Sequence, residues 1–271
     1  MESPPAEVLT AFGITETPVP LTGGQGQTWR AGDLVLKPED ADARVAWLVD
    51  TIEQLPDTDD FRLARHVRAG DGRLLVDGWE ATGWLAGAHL SESWADVLTV
   101  SRAFHAALAT VPVPSAGVPG DDNHWRIADR VAWGEQPCAA DVPAAVRALF
   151  DRLQSHVDAP WTGSAPQLIH ADIGNNVLFA PDEGLPPAII DVSPYVRPAE
   201  FANAMAVADA MAWQGAPLTH AIRFVTTVDG GDQLLARAVV FRIVAAALVW
   251  PGYPERLAAE VDAYRPVLSA L

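Results

Sequence analysis

The chain has 271 residues, 49% of them hydrophobic, and a mean hydropathy of +0.10, which is enough apolar material for one large domain or two lobes. Lys and Arg number 18 against 35 Asp and Glu, leaving a formal charge of −17; that field would repel a phosphate-coated polymer or an anionic membrane surface, so neither nucleic acid nor membrane is expected as a partner. Cys138 is the one cysteine, which excludes an internal disulfide framework and a cysteine-based metal site and fits a reducing, cytoplasmic setting. The opening MESPPAEV has no signal pattern, and the longest apolar run, Ala238 to Trp250, is too short to span a bilayer and contains Arg242, so a buried helix is expected there.

In chain order, a short helix is expected around Glu7 to Phe12, followed by three strands, Val19 to Thr22, Thr28 to Arg30 and Leu34 to Lys37. The first two are joined by Gly23-Gly24-Gln25-Gly26-Gln27. A glycine-rich hairpin can lay its backbone amides over phosphates, because no Cβ blocks the approach. Alternation in the third strand puts Val35 and Lys37 on one face, with Leu34 and Leu36 turned into the lobe. Lys37 then projects beneath the hairpin, where an ammonium neutralises phosphate charge. A helix from Ala41 to Leu55 follows, with Val45, Leu48, Ile52 and Leu55 on one stripe. Asp50 and Glu53 on it are both candidates to pair with Lys37, Asp50 being favoured. Two strands are expected around a turn at Arg68 to Gly72, Phe61 to Val67 and Arg73 to Thr82, and the stretch from Trp79 to Gly87 leaves this first lobe.

The rest reads as mostly helical. Ser93 with Asp96 makes a capping box for a helix from Trp94 to Val111, with Val97, Val100, Phe104 and Leu108 on one side. His105 within it is expected at the edge of the core. Asp121 to Trp133 reads as an acidic connection, and Pro143 to His156 as another helix. Past residue 192, Ser193, Tyr195 and Arg197 either approach a substrate or fix the turn. Asp209 lies in a very apolar helix, where an unpaired carboxylate is costly; it is expected to accept hydrogen bonds from the backbone of the 170s loop or from His170.

The most informative stretch is QLIHADIGNNVLF, Gln167 to Phe179, with PPAIIDVSPY, Pro186 to Tyr195. His170, Asp172 and Asn176 fall within seven positions, and Asp191 follows an apolar strand returning from a turn at Pro181 to Gly184. Two acids and an amide around one point suit phosphoryl transfer. A carboxylate and an amide oxygen are ligands for magnesium, a hard cation, and a second carboxylate can take the proton of an attacking hydroxyl. In the protein-kinase pattern these roles map to Asp191, Asn176 and Asp172, with His170 shaping the loop.

HADIGNNVLF and IIDVSPY resemble the aminoglycoside phosphotransferase and choline kinase family, in particular its actinobacterial branch. The resemblance implies an α+β, protein-kinase-like fold of two lobes: a small antiparallel β-sheet lobe with one helix (residues 1–85) and a larger, mostly helical lobe (86–271). It implies ATP with magnesium and a small-molecule hydroxyl as acceptor, in a monomer or homodimer. Asp172 would be the catalytic base, and Asn176 and Asp191 the metal ligands. The nucleotide would be held by Lys37 and Asp50, by Gly24, Gln25, Gly26, Gln27 and Thr28, and by a hinge backbone at Ala81, Thr82, Gly83 and Trp84. Ala171 replaces the family's usual Gly, and the Asp172-to-Asn176 gap is four rather than five, which keeps Asn175 open as the ligand. Asn176 is preferred because it directly precedes the strand at Val177. Arg44 stands where an acid is expected in relatives, and Val192 where protein kinases have Phe. A non-catalytic kinase-like domain that binds nucleotide or a protein is the alternative. A metal-dependent hydrolase is disfavoured because no two of the seven His are spaced i, i+4.

Overall fold

A computed structural model describes residues 3–21, 26–115, 117–120 and 123–271. Its first elements are α1 (Ala6–Ala11), β1 (Val19–Pro20), β2 (Trp29–Ala31), β3 (Leu34–Pro38), α2 (Asp42–Asp50), β4 (Arg62–Leu63), β5 (Leu75–Val76) and β6 (Trp79–Gly83). Then come α3 (Trp94–Leu108), α4 (His124–Ala132), α5 (Ala144–Asp158), β7 (Gln167–His170), β8 (Val177–Ala180), β9 (Leu185–Ile189) and β10 (Pro194–Arg197). The chain continues as α6 (Ala199–Trp213), α7 (Leu218–Thr227), α8 (Gly231–Val249) and α9 (Pro254–Tyr264). These fall into two compact units.

The first unit comprises Met1–Ala88, Pro114–Gly120 and Leu178–Asp191. Its main sheet is antiparallel in the order β1-β2-β3-β6-β5. Alternation works as expected in β3: Leu36 is fully buried and packs in one cluster with Val8, Phe12, Ala31, Val76 and Ala81. The helix expected to Leu55 stops at Asp50. Thr51 leaves helical geometry (φ −125, ψ −78) and a 3-10 turn, Ile52–Gln54, follows. The hairpin expected over 61–82 forms in part: the Ala69 amide donates to the Arg73 carbonyl across the turn at 2.8 Å, and His66 bridges Thr82 antiparallel. Its first strand is otherwise short, since β4 is two residues long and runs parallel to β9 through Arg62↔Ala188 and Leu63↔Ile189. Its second is folded into a further tight hairpin, β5–β6, turned at Asp77 (φ 49) and Gly78 (φ 78). A second sheet is thus ordered β4-β9-β8, and Arg62 reinforces it by donating to the Pro186 and Ala86 carbonyls at 2.8 and 2.9 Å. A division at residue 85 assigns the β8–β9 hairpin to the second lobe; its pairing with β4 places it in the first unit.

The second unit comprises His89–Val113, Asp121–Val177 and Val192–Leu271. Its axis is α8, which contains most of the apolar run Ala238 to Trp250, is buried along nearly its whole length, and packs on α4, α5, α6, α7 and α9. Alanines dominate α6 and α8, and small side chains let the backbones approach closely. The pair β10–β7 is antiparallel, from Pro194↔His170 to Arg197↔Gln167. Ser93 does not cap α3 through its side chain; its hydroxyl turns back to the Leu90 carbonyl at 2.8 Å. The expected acidic connection is helix α4, capped by the Asn123 side chain, which accepts from the Trp125 and Arg126 amides at 3.0 and 3.2 Å. Among the described residues no helix is long and apolar enough to cross a membrane.

Candidate active site

In the first unit, Lys37 projects from the partly buried face of β3, and its Nζ donates to Asp191 Oδ1 at 2.6 Å. Asp191 lies two residues past β9 in the left-handed region (φ 48), a conformation in which Asp is tolerated better than most residues. The expected pairing of Lys37 with Asp50 is not formed. Asp50 is exposed at the last position of the shortened α2, and the carboxylate that meets the lysine comes from 154 residues away. Glu53 is taken as well: its two carboxylate oxygens bind the His66 amide (2.8 Å) and the His66 Nδ1. His66 Nε2 reaches Glu80 Oε2 at 3.0 Å. All three side chains are more than nine-tenths buried. Burial works against a charged imidazole, but hydrogen bonds and charge from Glu53 and Glu80 prevail and push its pKa up to about 9. Arg44 forms an ion pair with Glu39.

Of the glycine-rich turn, Gly24 and Gln25 lie outside the described residues, as do Thr22 and Gly23. Gly26 has φ +71, and the Thr28 carbonyl accepts the Leu21 amide at 2.8 Å. Ala81, Thr82 and Gly83 end β6, and their backbone is committed to the sheet. They pair with Leu36, Val35 and Leu34 of β3. On the other side the Ala81 carbonyl accepts from Val67 and the Gly83 amide donates to Arg65, at 2.8 and 2.9 Å. The Trp84 amide donates to the Asp33 carbonyl at 2.8 Å, and the Arg30 guanidinium covers its ring at 4.1 Å.

In the second unit the loop after β7 is braced by two imidazoles. His105 on α3 donates from Nδ1 to the Ser101 carbonyl (2.7 Å), and its Nε2 accepts the His170 amide (3.0 Å). Burial, aided by the neighbouring His170, pushes its pKa down to about 4, so it stays neutral. His170 is fully buried, and its Nδ1 accepts the Ser193 amide at 3.1 Å. Gly174 completes the loop by proximity: a Cβ there would come within 2.9 Å of the Ala206 Cα on α6.

Asp172 and Asn176 are brought together. Asn176 Nδ2 donates to the Asp172 carbonyl at 2.8 Å and to its Oδ2 at 3.2 Å. The neighbouring Asn175 is exposed, and its Oδ1 accepts from Gln214 at 2.9 Å. The other carboxylate oxygen of Asp172 accepts from Arg242 Nη2, and the same guanidinium holds Asp209 through two bonds, Nε to Oδ1 at 3.0 Å and Nη2 to Oδ2. The Tyr264 hydroxyl also donates to Asp209 Oδ1, at 2.8 Å, and Trp213 Nε1 donates to that hydroxyl at 3.1 Å. Asp209 thus serves the loop indirectly, through Arg242, instead of binding its backbone or His170. Burial raises the Asp209 carboxyl above the usual carboxylate range, opposed by Arg242; burial also disfavours charge on Arg242, but the carboxylates of Asp209 and Asp172 keep it protonated. Arg242 is the functional candidate that sequence reasoning passed over. The signal was that Asp209 is the one charge in the apolar stretch Phe201 to Trp213 and Arg242, of opposite sign, the one charge in the run Ala238 to Trp250.

Ser193, Tyr195 and Arg197 fix the turn. Ser193 holds Ala171 through its carbonyl at 3.0 Å. Tyr195 is buried under the Arg126 guanidinium, 4.1 Å from its ring centre. Arg197 forks onto Asp129 and Glu135 at 2.6–3.0 Å.

Each unit offers an oxygen donor of its own. Asp191 is half exposed, and Asn176, with Nδ2 engaged by Asp172, retains its amide oxygen. Both are oxygen donors of the kind magnesium prefers. Among the described residues no three His, Cys, Asp or Glu are grouped to cage a metal alone.

No family profile and no curated protein sequence matches the chain. Solved structures do. Aminoglycoside phosphotransferase APH(4)-Ia aligns at 16% identity over 97% of both chains with a TM-score of 0.63, and a thermostable mutant of that protein was solved with ADP and hygromycin B. The choline kinase LicA from Streptococcus pneumoniae aligns at 14% identity over 97% of this chain and 96% of its own, TM-score 0.56. An aminoglycoside phosphotransferase from Alicyclobacillus acidocaldarius aligns at 16% over 100% and 94%, TM-score 0.56. Over nearly its whole length the chain has the kinase-like α+β fold of the aminoglycoside phosphotransferases and choline kinases.

Proposed function

We propose that the protein is a small-molecule kinase of the aminoglycoside phosphotransferase and choline kinase type, moving the γ-phosphoryl group of ATP to an alcohol hydroxyl. The observation that carries this reading is the Lys37–Asp191 ion pair at 2.6 Å: a strand lysine and a strand-end acid, each singled out by chemistry, meet across 154 residues. Lys37 neutralises the α- and β-phosphates. Asp191 and Asn176 offer oxygens to magnesium, which when bound with the nucleotide offsets phosphate charge. Asp172 receives the acceptor. Its side chain is 38% exposed, and an ionised carboxylate has about four acceptor positions, so the bonds from Arg242 and Asn176 leave room for a hydroxyl. Asp172 then orients that hydroxyl and takes its proton as the phosphoryl group departs in line. Neighbours crystallised with hygromycin B or named as choline kinases support a reading in which the acceptor is an aminoglycoside, an amino sugar, a choline-like alcohol or another metabolite. The fold does not select among them.

The test is a thermal-shift titration with ATP, with and without magnesium. A ligand at about 100 times its dissociation constant adds about 2.7 kcal/mol, a readily measured shift. A magnesium-dependent shift in the wild type, lost in Asp191→Ala, is expected. Asp172→Ala should keep that shift and lose turnover with any acceptor found by screening; loss of the shift in Asp172→Ala would contradict the division of roles. One observation favours a second reading, a nucleotide-binding domain without turnover: Asp172 is held by an arginine. A nucleotide shift with no ATP consumed across an alcohol panel would select it.

A further inference from the structure

A cavity of about 570 Å³ opens in the second unit among α3, the start of β7, α6 and α7, a volume suited to a small molecule. It is a different place from Asp172. Of β7 and the Asp172–Asn176 loop, Gln167 alone lines it. The charge on its wall is unusual for so acidic a chain. Arg102 and Arg223 both line it, and neither has a carboxylate partner among the described residues. Arg102 is steadied by one bond, from Nη2 to the Thr99 hydroxyl at 3.1 Å. The acid on the wall, Glu200, already accepts the Ser164 hydroxyl at 2.6 Å. Asn203 also lines the cavity and is only 9% exposed, its Oδ1 turned away from the open space. His220, on the same wall, is kept neutral by burial and by Arg223, so it adds a polar group without competing charge. Leu98 and Phe224 supply apolar surface.

We infer that this cavity is a second small-molecule site that takes a compact organic anion, with a carboxylate or phosphate on Arg102 and Arg223 and an apolar body on Leu98 and Phe224. The site bears on the catalytic loop. His105 forms part of its wall, and the far nitrogen of that imidazole holds the His170 amide. An occupant packed on His105 restrains β7 from behind. The inference stands whether or not the protein transfers phosphate.

Isothermal titration of the full chain tests it with three probes: 4-hydroxybenzoate, inorganic phosphate and the neutral 4-hydroxybenzyl alcohol. The expected result is saturable binding of 4-hydroxybenzoate, weaker binding of phosphate and none of the alcohol. Affinity for both anions should fall about tenfold or more in Arg102→Ala/Arg223→Ala, a change at two exposed side chains that leaves the core intact, and stay unchanged in Asp172→Ala. Absence of heat with both anions at millimolar concentration overturns the inference. So does binding that the double variant retains, binding of the alcohol as tight as the acid, or binding lost in Asp172→Ala, which would move the anion to the candidate active site.

Discussion

Replacing Arg242 with methionine isolates what the buried guanidinium contributes. The Arg242 and Asp209 side chains are 13% and 2% exposed, so removal leaves Asp209 charged in the interior with one remaining donor, the Tyr264 hydroxyl. Breaking such a pair from one side costs about 3–5 kcal/mol, because the stranded charge loses its partner without regaining water. The Asp172 half of the bridge, with a carboxylate 38% exposed, adds little; pairs of that kind contribute about 0–1 kcal/mol. Urea unfolding at neutral pH reads the loss. The control is Arg242→Met/Asp209→Leu, which removes both charges and should recover most of it, since apolar replacement of a buried pair is often neutral. The pH dependence gives a second check. Without Arg242, burial, helped by the Asp172 charge, outweighs the Tyr264 hydrogen bond and holds the folded pKa of Asp209 above the unfolded value of 3.8. The folded variant then binds the proton more tightly, so its deficit is smallest below that value and grows as pH rises through the folded pKa. A single variant within about 1 kcal/mol of wild type, or a double variant as damaged as the single one, would refute the reasoning.

Two further outcomes are expected. His66, raised from 6.5 to about 9, is more protonated in the folded state between those values. Its contribution is complete below about 6.5 and lost as pH climbs through 9, about 3 kcal/mol in all. Unfolding midpoints measured from pH 6 to 10 should fall across that window in the wild type and stay flatter in His66→Gln; parallel curves would contradict the assignment. Gly174→Ala drives a methyl against the α6 backbone at Ala206, at 2.9 Å, where neither side yields without moving a helix. A loss of about 1–3 kcal/mol follows, with hydrogen exchange rising at the Asp172–Asn176 loop; an unchanged midpoint would show that the loop has slack.

What could be read from the sequence was the local part of the site. Strand alternation placed Lys37 on the face opposite Leu36, and the turn at Pro181 to Gly184 announced the β8–β9 hairpin, because both are written in neighbouring residues. The histidine reading also held: His105 and His170 are buried and serve as acceptors for backbone amides. What escaped depended on partners far apart in the chain. Lys37 finds its acid 154 positions on, not in the following helix, and periodicity alone gave no reason for α2 to break at Thr51. A buried acid in α6 was recognised as needing donors, but nothing local told backbone amides from an arginine 33 residues downstream. The two residues of β4 pair in parallel with a strand more than a hundred positions later, a partner that no turn signal marks.

The bridge at Arg242 also sets an order of events during synthesis. Asp172 leaves the ribosome 70 residues before the arginine that steadies it, and the tyrosine that completes the Asp209 cluster comes 55 residues after that acid. Contacts of such long sequence separation form late, and a chain folds progressively as it emerges. A nascent chain interrupted before Arg242 would therefore carry every residue of the Asp172–Asn176 loop, with His105 and His170 in place to hold its leading end, and still lack the guanidinium that holds the Asp172 carboxylate.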